Sequence, residues 1–316
     1  METSTNRVRD AGPFSEGIGA GLIYVAYRFA AWVAEHVPLS WGNRLAQWGG
    51  TLGYQLARGK RMVVAKNLAR VTGTTNGIEE MVKEAFASYA LYWLETFRLG
   101  RYSKDDLAEM VSCGSLQVLD EALSHGKGMV VATAHFGFYD LGVAWMGTTG
   151  YPFVTVAEVL KPRALFEWFA QQRRVRGMDV IPARPRDEAR SALFTALENG
   201  KGVALLSERD LGRRGVWVEF FGERTTFPVG PALLVARTGA PLVGGVIYQA
   251  GENRYRVDFD PIPYELSGNE DEDIANISQL IARDIERMVA KAPEQWHLFV
   301  TNWPSDELHL PPRGSR

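Results

Sequence analysis

The chain has 316 residues, 46% of them hydrophobic and 23% charged, with a formal net charge of −2 and one cysteine. That balance excludes a disordered chain, and a mean hydropathy of −0.14 excludes a polytopic membrane protein. A lone Cys113 excludes an internal disulfide and an all-cysteine metal site, and the near-neutral charge excludes a nucleic-acid binder that uses its whole surface.

The N-terminal quarter departs from this average. Residues 1–73 carry nine Arg or Lys and four acids, a net +5, which leaves −7 for the rest. The longest apolar run, Ala20 to Ala34, lies here and is broken by Arg28. It is shorter than the roughly 20 residues that cross a bilayer. Glu2 and Asp10 spoil the basic start of a secretory signal, and no small-residue cleavage site follows. A basic segment bearing Tyr24, Tyr27, Phe29, Trp32, Trp41 and Trp48 suits an anionic membrane surface. A core-packed helix with a solvated basic face is an equally good reading of the same residues.

Residues 16–110 read mostly as helix, with Ile23, Tyr27, Ala30, Ala31 and Ala34 on one face. Phe86, Tyr89, Ala90, Trp93, Leu94 and Phe97 repeat that spacing. From Gly128 the period changes, and short apolar runs alternate with helical stretches. Strands are expected at Met129–Ala134, Phe153–Ala157, Met178–Ile181, Val203–Leu206, Val216–Phe221, Leu242–Tyr248 and Tyr255–Phe259. Asp187 is expected to cap a helix over Glu188–Glu198, with Gly200 just past its end. Pro231 opens a helix over Ala232–Arg237 that Gly239 stops. A final helix places Ile274, Ile277, Ile281, Ile285 and Met288 on one face.

This alternation predicts an α/β fold: a mixed, largely parallel β-sheet wrapped by α-helices, with an N-terminal helical subdomain. Residues 1–110 form the helical, membrane-docking part and 111–316 the α/β core, within one domain.

The segment Val130-Val131-Ala132-Thr133-Ala134-His135-Phe136-Gly137-Phe138-Tyr139-Asp140 carries the most chemistry. An apolar strand runs into a histidine, and a carboxylate follows at H-x4-D spacing. Open α/β sheets bind ligands where a strand's carboxyl end meets a helix. A histidine there can take a proton at neutral pH, and Asp140 in the first helical turn can curl back toward its ring. A half-buried histidine capped by a local aspartate is the commoner meaning of the spacing taken alone. A second apolar strand ends in Glu208-Arg209-Asp210, and Glu208 can reach His135 if the two strands are neighbours. Residues Thr225–Pro231 read as a loop feeding a helix N-terminus, which suits an anion or shapes a channel. Phe166, Trp168 and Phe169 are core or tunnel wall. His36, His125 and His309 lack partner spacing, and His297 beside Trp296 reads as support for the fold.

The order HFGxxD, ERDL, GVxVxFFG and xPxGPALLxxRTGAPL resembles the lysophospholipid-acyltransferase superfamily. More narrowly it resembles the bacterial lipid A biosynthesis acyltransferases, and within them the phosphatidylinositol mannoside acyltransferase branch. Asn67–Val71, the Tyr89–Arg98 block and Gln295-Trp296-His297 extend the resemblance over nearly the whole chain. It implies an acyl-CoA donor, a mannosylated phosphatidylinositol acceptor, an acyl tunnel, and a peripheral enzyme at the cytoplasmic face of the plasma membrane. No metal, cofactor or nucleic acid is implied. His135 is then the catalytic base, Glu208 its partner acid and Asp140 a support for the local geometry. Glu158 and Arg173 fall where that branch has a charged pair, and Arg209 and Asp210 join them as substrate-binding candidates. Two departures stand out. Phe138 and Tyr139 replace the usual Asn and Trp after the histidine. Thr226-Phe227 stand where Arg and Met are common, with Arg224 nearby as a candidate for the headgroup role. A lipid A-type or other glycerolipid acyltransferase, an acyl-CoA thioesterase and a non-catalytic lipid-binding protein remain open readings.

Overall fold

The computed structural model describes residues 12–210 and 212–309. Glu2, Arg7, Arg9 and Asp10, and Leu211 of the ERDL block, lie outside them.

Helices come first: α1 (Ile18–His36), α2 (Gly42–Leu56), α3 (Arg58–Thr72), α4 (Ile78–Arg98) and α5 (Lys104–Met110). The core follows as β1 (Val111–Cys113), α6 (Gln117–Ser124), β2 (Met129–Thr133), α7 (Tyr139–Met146), β3 (Phe153–Ala157), α8 (Arg163–Arg174), β4 (Met178–Pro182), α9 (Arg186–Glu198) and β5 (Gly202–Leu206). Then come β6 (Val216–Phe220), β7 (Glu223–Phe227), α10 (Gly230–Thr238), β8 (Leu242–Gly251), β9 (Arg254–Pro261) and α11 (Glu270–Ala290).

Seven strands form one sheet in the order β1-β9-β8-β2-β5-β3-β4. Every neighbouring pair is parallel except β8 with β9. The fold is therefore α/β with a mostly parallel mixed sheet, as the alternation predicts. Alternation along β2 explains why helices cover both faces. Val130 and Ala132 pack with α9, α10 and α11, whereas Met129 and Val131 pack with α4, α6 and α7.

Two expectations need correction. Thr225–Phe227 are not loop: they belong to β7, which pairs antiparallel with β6 as a separate hairpin. Glu223–Thr226 are all polar or charged, so that strand carries no apolar alternation. Asp187 does not cap α9; the helix starts at Arg186, and Asp187 lies in its first turn, bonded to Arg190.

Helix α1 turns most of the expected face inward, with Tyr27 edge-on against Trp93, Phe97 and Phe169. Ala31 and Ala34 are buried, while Ile23 on the same predicted face is 48% exposed. Ile18, Leu22, Val25, Phe29 and Trp32 follow one another at helical spacing and all face outward. Trp41, Leu45, Trp48, Leu52 and Leu56 do the same along α2. Both helices are held from inside by α4. A Cβ on Gly50 of α2 would lie 2.5 Å from Ala87 Cα. Arg98, fully buried, donates to Ala34 O at 3.0 Å and Val37 O at 3.1 Å, satisfying carbonyls at the end of α1. Among the described residues no helix is long and apolar enough to cross a membrane.

Candidate active site

The pairing of β2 with β5 decides the site. Thr133 lies opposite Leu206, so the residues just beyond both strand ends meet. Glu208 Oε1 accepts hydrogen bonds from the His135 backbone N–H and from Nδ1, each at 2.8 Å. With Nδ1 engaged, Nε2 is left as the nitrogen that can take a proton. Glu208 has no exposed surface and His135 keeps a fifth of its side chain open. Burial pushes the Glu208 carboxyl up, but the adjacent His135 and the bonds it donates outweigh this and hold it below its ordinary value. Among the described residues Oε2 has no hydrogen-bond partner.

The turn between β2 and α7 is clamped from behind. Gly137 N–H donates to Gln295 O and His297 N–H to His135 O, both at 2.8 Å. Gly137 has φ +57, and an added Cβ would fall 1.9 Å from Ile247 O, so both backbone and space require glycine. The His297 ring reaches Ser88 Oγ at 3.0 Å and is held neutral, its pKa lowered to about 3 chiefly by burial.

Asp140 belongs to a neighbouring network and not to the imidazole. Its Oδ2 accepts from Tyr92 Oη at 2.7 Å, and its Oδ1 from Arg173. Tyr92 and Tyr139 hydroxyls are 2.5 Å apart, and their rings stack at 4.7 Å. Tyr139 also sets its ring edge-on to His135, centroids 5.7 Å apart.

An apolar cavity of about 330 Å³ opens beside these groups. His135, Tyr139 and Ala157 line it at the carboxyl ends of the strands, and Phe153 and Met178 where β3 and β4 begin. It therefore runs the length of β3, roughly 13 Å. Helices α4, α7 and α8 wall it through Trp93, Val143 and Phe169. A mostly apolar cleft with few convergent polar groups at one end suits a chain-like apolar ligand whose polar end meets the histidine.

Residues 20–305 match the family model described as bacterial lipid A biosynthesis acyltransferase. The chain belongs to that family. Among its relatives is the phosphatidylinositol mannoside acyltransferase of Mycolicibacterium smegmatis, 34% identical over 265 residues, which cover 82% of this chain and 84% of the relative. The protein of the same name from Mycobacterium tuberculosis is 36% identical over 249 residues, 76% of each chain. The lipid A biosynthesis palmitoleoyltransferase of Escherichia coli is 24% identical over 221 residues, 69% of each.

On this acyltransferase frame the sequence candidates separate. His135, Asp140, Glu158 and Arg173 all line the cavity. Arg173 turns to Asp140 rather than to Glu158, because a carboxylate as buried as Asp140 needs a cation, whereas Glu158 is exposed to water. Asp210 accepts from Gly212 N at 3.2 Å and Gly215 N at 2.7 Å, so it shapes its own loop. Arg209 stands next to Glu208 with a buried Nε that has no partner among the described residues. Arg224 lies over the Trp217 ring on the β6–β7 hairpin, in a separate surface depression with Glu223 and Ser305. Phe166 and Phe169 line the cavity, while Arg28 covers the Trp168 ring. Sequence reasoning passed over Tyr92 and the hydroxyl of Tyr139. The signal for Tyr92 is the Tyr89–Arg98 block, which carries no chemistry motif until it is folded against the turn, and that for Tyr139 is its place beside Asp140.

Proposed function

We propose that the protein transfers a long-chain fatty acyl group, with palmitoyl as the first to test, from acyl-CoA to a mannose hydroxyl of phosphatidylinositol mannosides. The observation that carries this reading is the His135–Glu208 pair at the end of an apolar cavity. Nε2 takes the acceptor's hydroxyl proton as its oxygen attacks the thioester carbonyl, and the imidazolium returns the proton to the departing thiolate. Glu208 holds the ring in orientation and balances its charge. The mannoside acceptor follows the names of the relatives at 34–36% identity. The enzyme works as a peripheral protein on the anionic cytoplasmic face of the plasma membrane, a reading supported by the outward apolar stripes of α1 and α2.

The test is incubation with palmitoyl-CoA and phosphatidylinositol mannosides, followed by mass spectrometry. One added acyl chain on the acceptor is expected with the wild type and none with His135→Ala. Release of CoA at the same rate without acceptor would mean a thioesterase and overturn the proposal.

A further inference from the structure

Of the two phenols beside Asp140, the proton count leaves one hydroxyl donor at the cavity. Tyr92 has a single hydroxyl proton and two neighbours, Asp140 Oδ2 at 2.7 Å and Tyr139 Oη at 2.5 Å. A charged acceptor takes it in preference to a neutral one, so Tyr92 donates to Asp140. The bond between the two tyrosines is then carried by the Tyr139 proton. Arg173 is likewise engaged, with Asp140 and with Phe169 O at 3.2 Å. Tyr139 therefore keeps an O–H whose present acceptor is only another phenol. It lines the same cavity as His135, with its ring 5.7 Å away.

We propose that the Tyr139 hydroxyl is a catalytic residue that donates to the carbonyl oxygen of the acyl donor as that oxygen becomes negative. This rests on the acyl-transfer reading above. As the acceptor oxygen bonds to the thioester carbon, its proton passes to His135 Nε2 and the carbonyl π electrons move to oxygen. Tyr139 turns its hydrogen bond from Tyr92 to that oxygen. Collapse re-forms the carbonyl, breaks the carbon–sulfur bond and sends the imidazolium proton to sulfur. Tyr139 keeps its own proton throughout, and burial with Asp140 nearby raises its pKa well above the ordinary 10, so it remains a donor across the working pH range.

Tyr139→Phe keeps the ring and removes only the donor. The measurement is kcat and KM for palmitoyl-CoA, together with affinity for an S-alkyl-CoA analogue that has the chain but no carbonyl. The expected result is a ~100-fold fall in kcat, with analogue affinity and melting temperature unchanged. Unchanged kcat overturns the inference. So does a fall in kcat matched by losses in analogue affinity and melting temperature, which is the mark of scaffolding. A wild type that does not turn over palmitoyl-CoA overturns the acyl-transfer reading, and this inference with it. An active wild type matched by Tyr139→Phe overturns this inference alone.

Discussion

A buried carboxylate stays charged only where something answers its charge, and the two carboxylates here are answered differently. Glu208 has the imidazole; Asp140 has Arg173 and a tyrosine hydroxyl. Removing either charge should therefore have different consequences. Glu208→Gln keeps the size but loses the charge that balances the imidazolium, and turnover is expected to fall ~100-fold or more. Asp140→Asn leaves Arg173 buried without its carboxylate, and is expected to lower stability by about 3 kcal/mol, read by chemical denaturation. His297 adds a pH dependence. Folded, its pKa lies near 3, against an ordinary 6.5. Between those values the unfolded chain binds a proton that the folded chain refuses. Stability from this residue is complete above pH 6.5 and is lost as pH falls toward 3, at about 1.4 kcal/mol per pH unit. Denaturant titrations at several pH values in that window should show His297→Gln with the shallower slope; equal slopes would place the acid sensitivity elsewhere.

Elements were legible in proportion to how much of their burial is local. Phe153–Ala157 is legible to the residue because aromatic and β-branched side chains fill its first four positions. Strand β7 is hidden because four of its five residues are polar or charged, whereas its partner β6 is mostly apolar. Strand order is a matter of long-range pairing, so the meeting of Glu208 with His135 could be stated only as a condition on β2 and β5 being neighbours. Tyr92 was invisible for the same reason: it lies 48 residues before Asp140, on a helix whose spacing says only that it packs. The spacing in α1 finds most of the inward face but not the outward stripe, because the helix is apolar nearly all round: Tyr27 turns inward while Phe29 and Trp32 face out. Tyr27 packs its inner side against Trp93, Phe97 and Phe169, and two arginines hold its end, Arg101 by donating to Glu35 O at 3.0 Å. Arg98 joins Glu95 at 2.8 Å and caps the end of α1. Arg98→Ala leaves Glu95 without its cation and strips those carbonyls, and is expected to cost roughly 3–5 kcal/mol. Limited proteolysis should then cut within α1 before the sheet; a variant cut at the wild-type rate would mean that α1 is held by its apolar contacts and Arg101.

At the scale of the whole molecule, the charge split and the burial pattern bear on one surface. The outward stripes of α1 and α2 are not covered by any described part of the chain, and exposed Arg28, Arg44, Arg58 and Lys60 belong to the same segment. Leu160, 38% exposed, lines the cavity, and Glu16 just before α1 accepts from Arg163 N–H at 2.6 Å at the start of α8. The apolar stripe of α1 is thus tied to an edge of the acyl cavity. A protein resting on these helices would hold the cavity next to lipid, which suits the acyl transfer proposed above. Two forces would hold it there, and they separate experimentally. Basic side chains contribute about 1 kcal/mol each near an anionic surface and are screened by salt. Apolar side chains contribute about 1.5–3 kcal/mol each when fully buried and are not screened. Flotation with anionic vesicles should therefore show binding that weakens as salt rises but persists at ~1 M, where the screening length is only about 3 Å. The triple variant Trp32→Ser, Trp48→Ser, Leu56→Ser should lose the salt-resistant part, with a fall in partitioning of at least ~100-fold, and retain the salt-sensitive part. Salt-resistant binding that survives the triple variant would move the docking face away from α1 and α2, and the apolar stripes would need another partner.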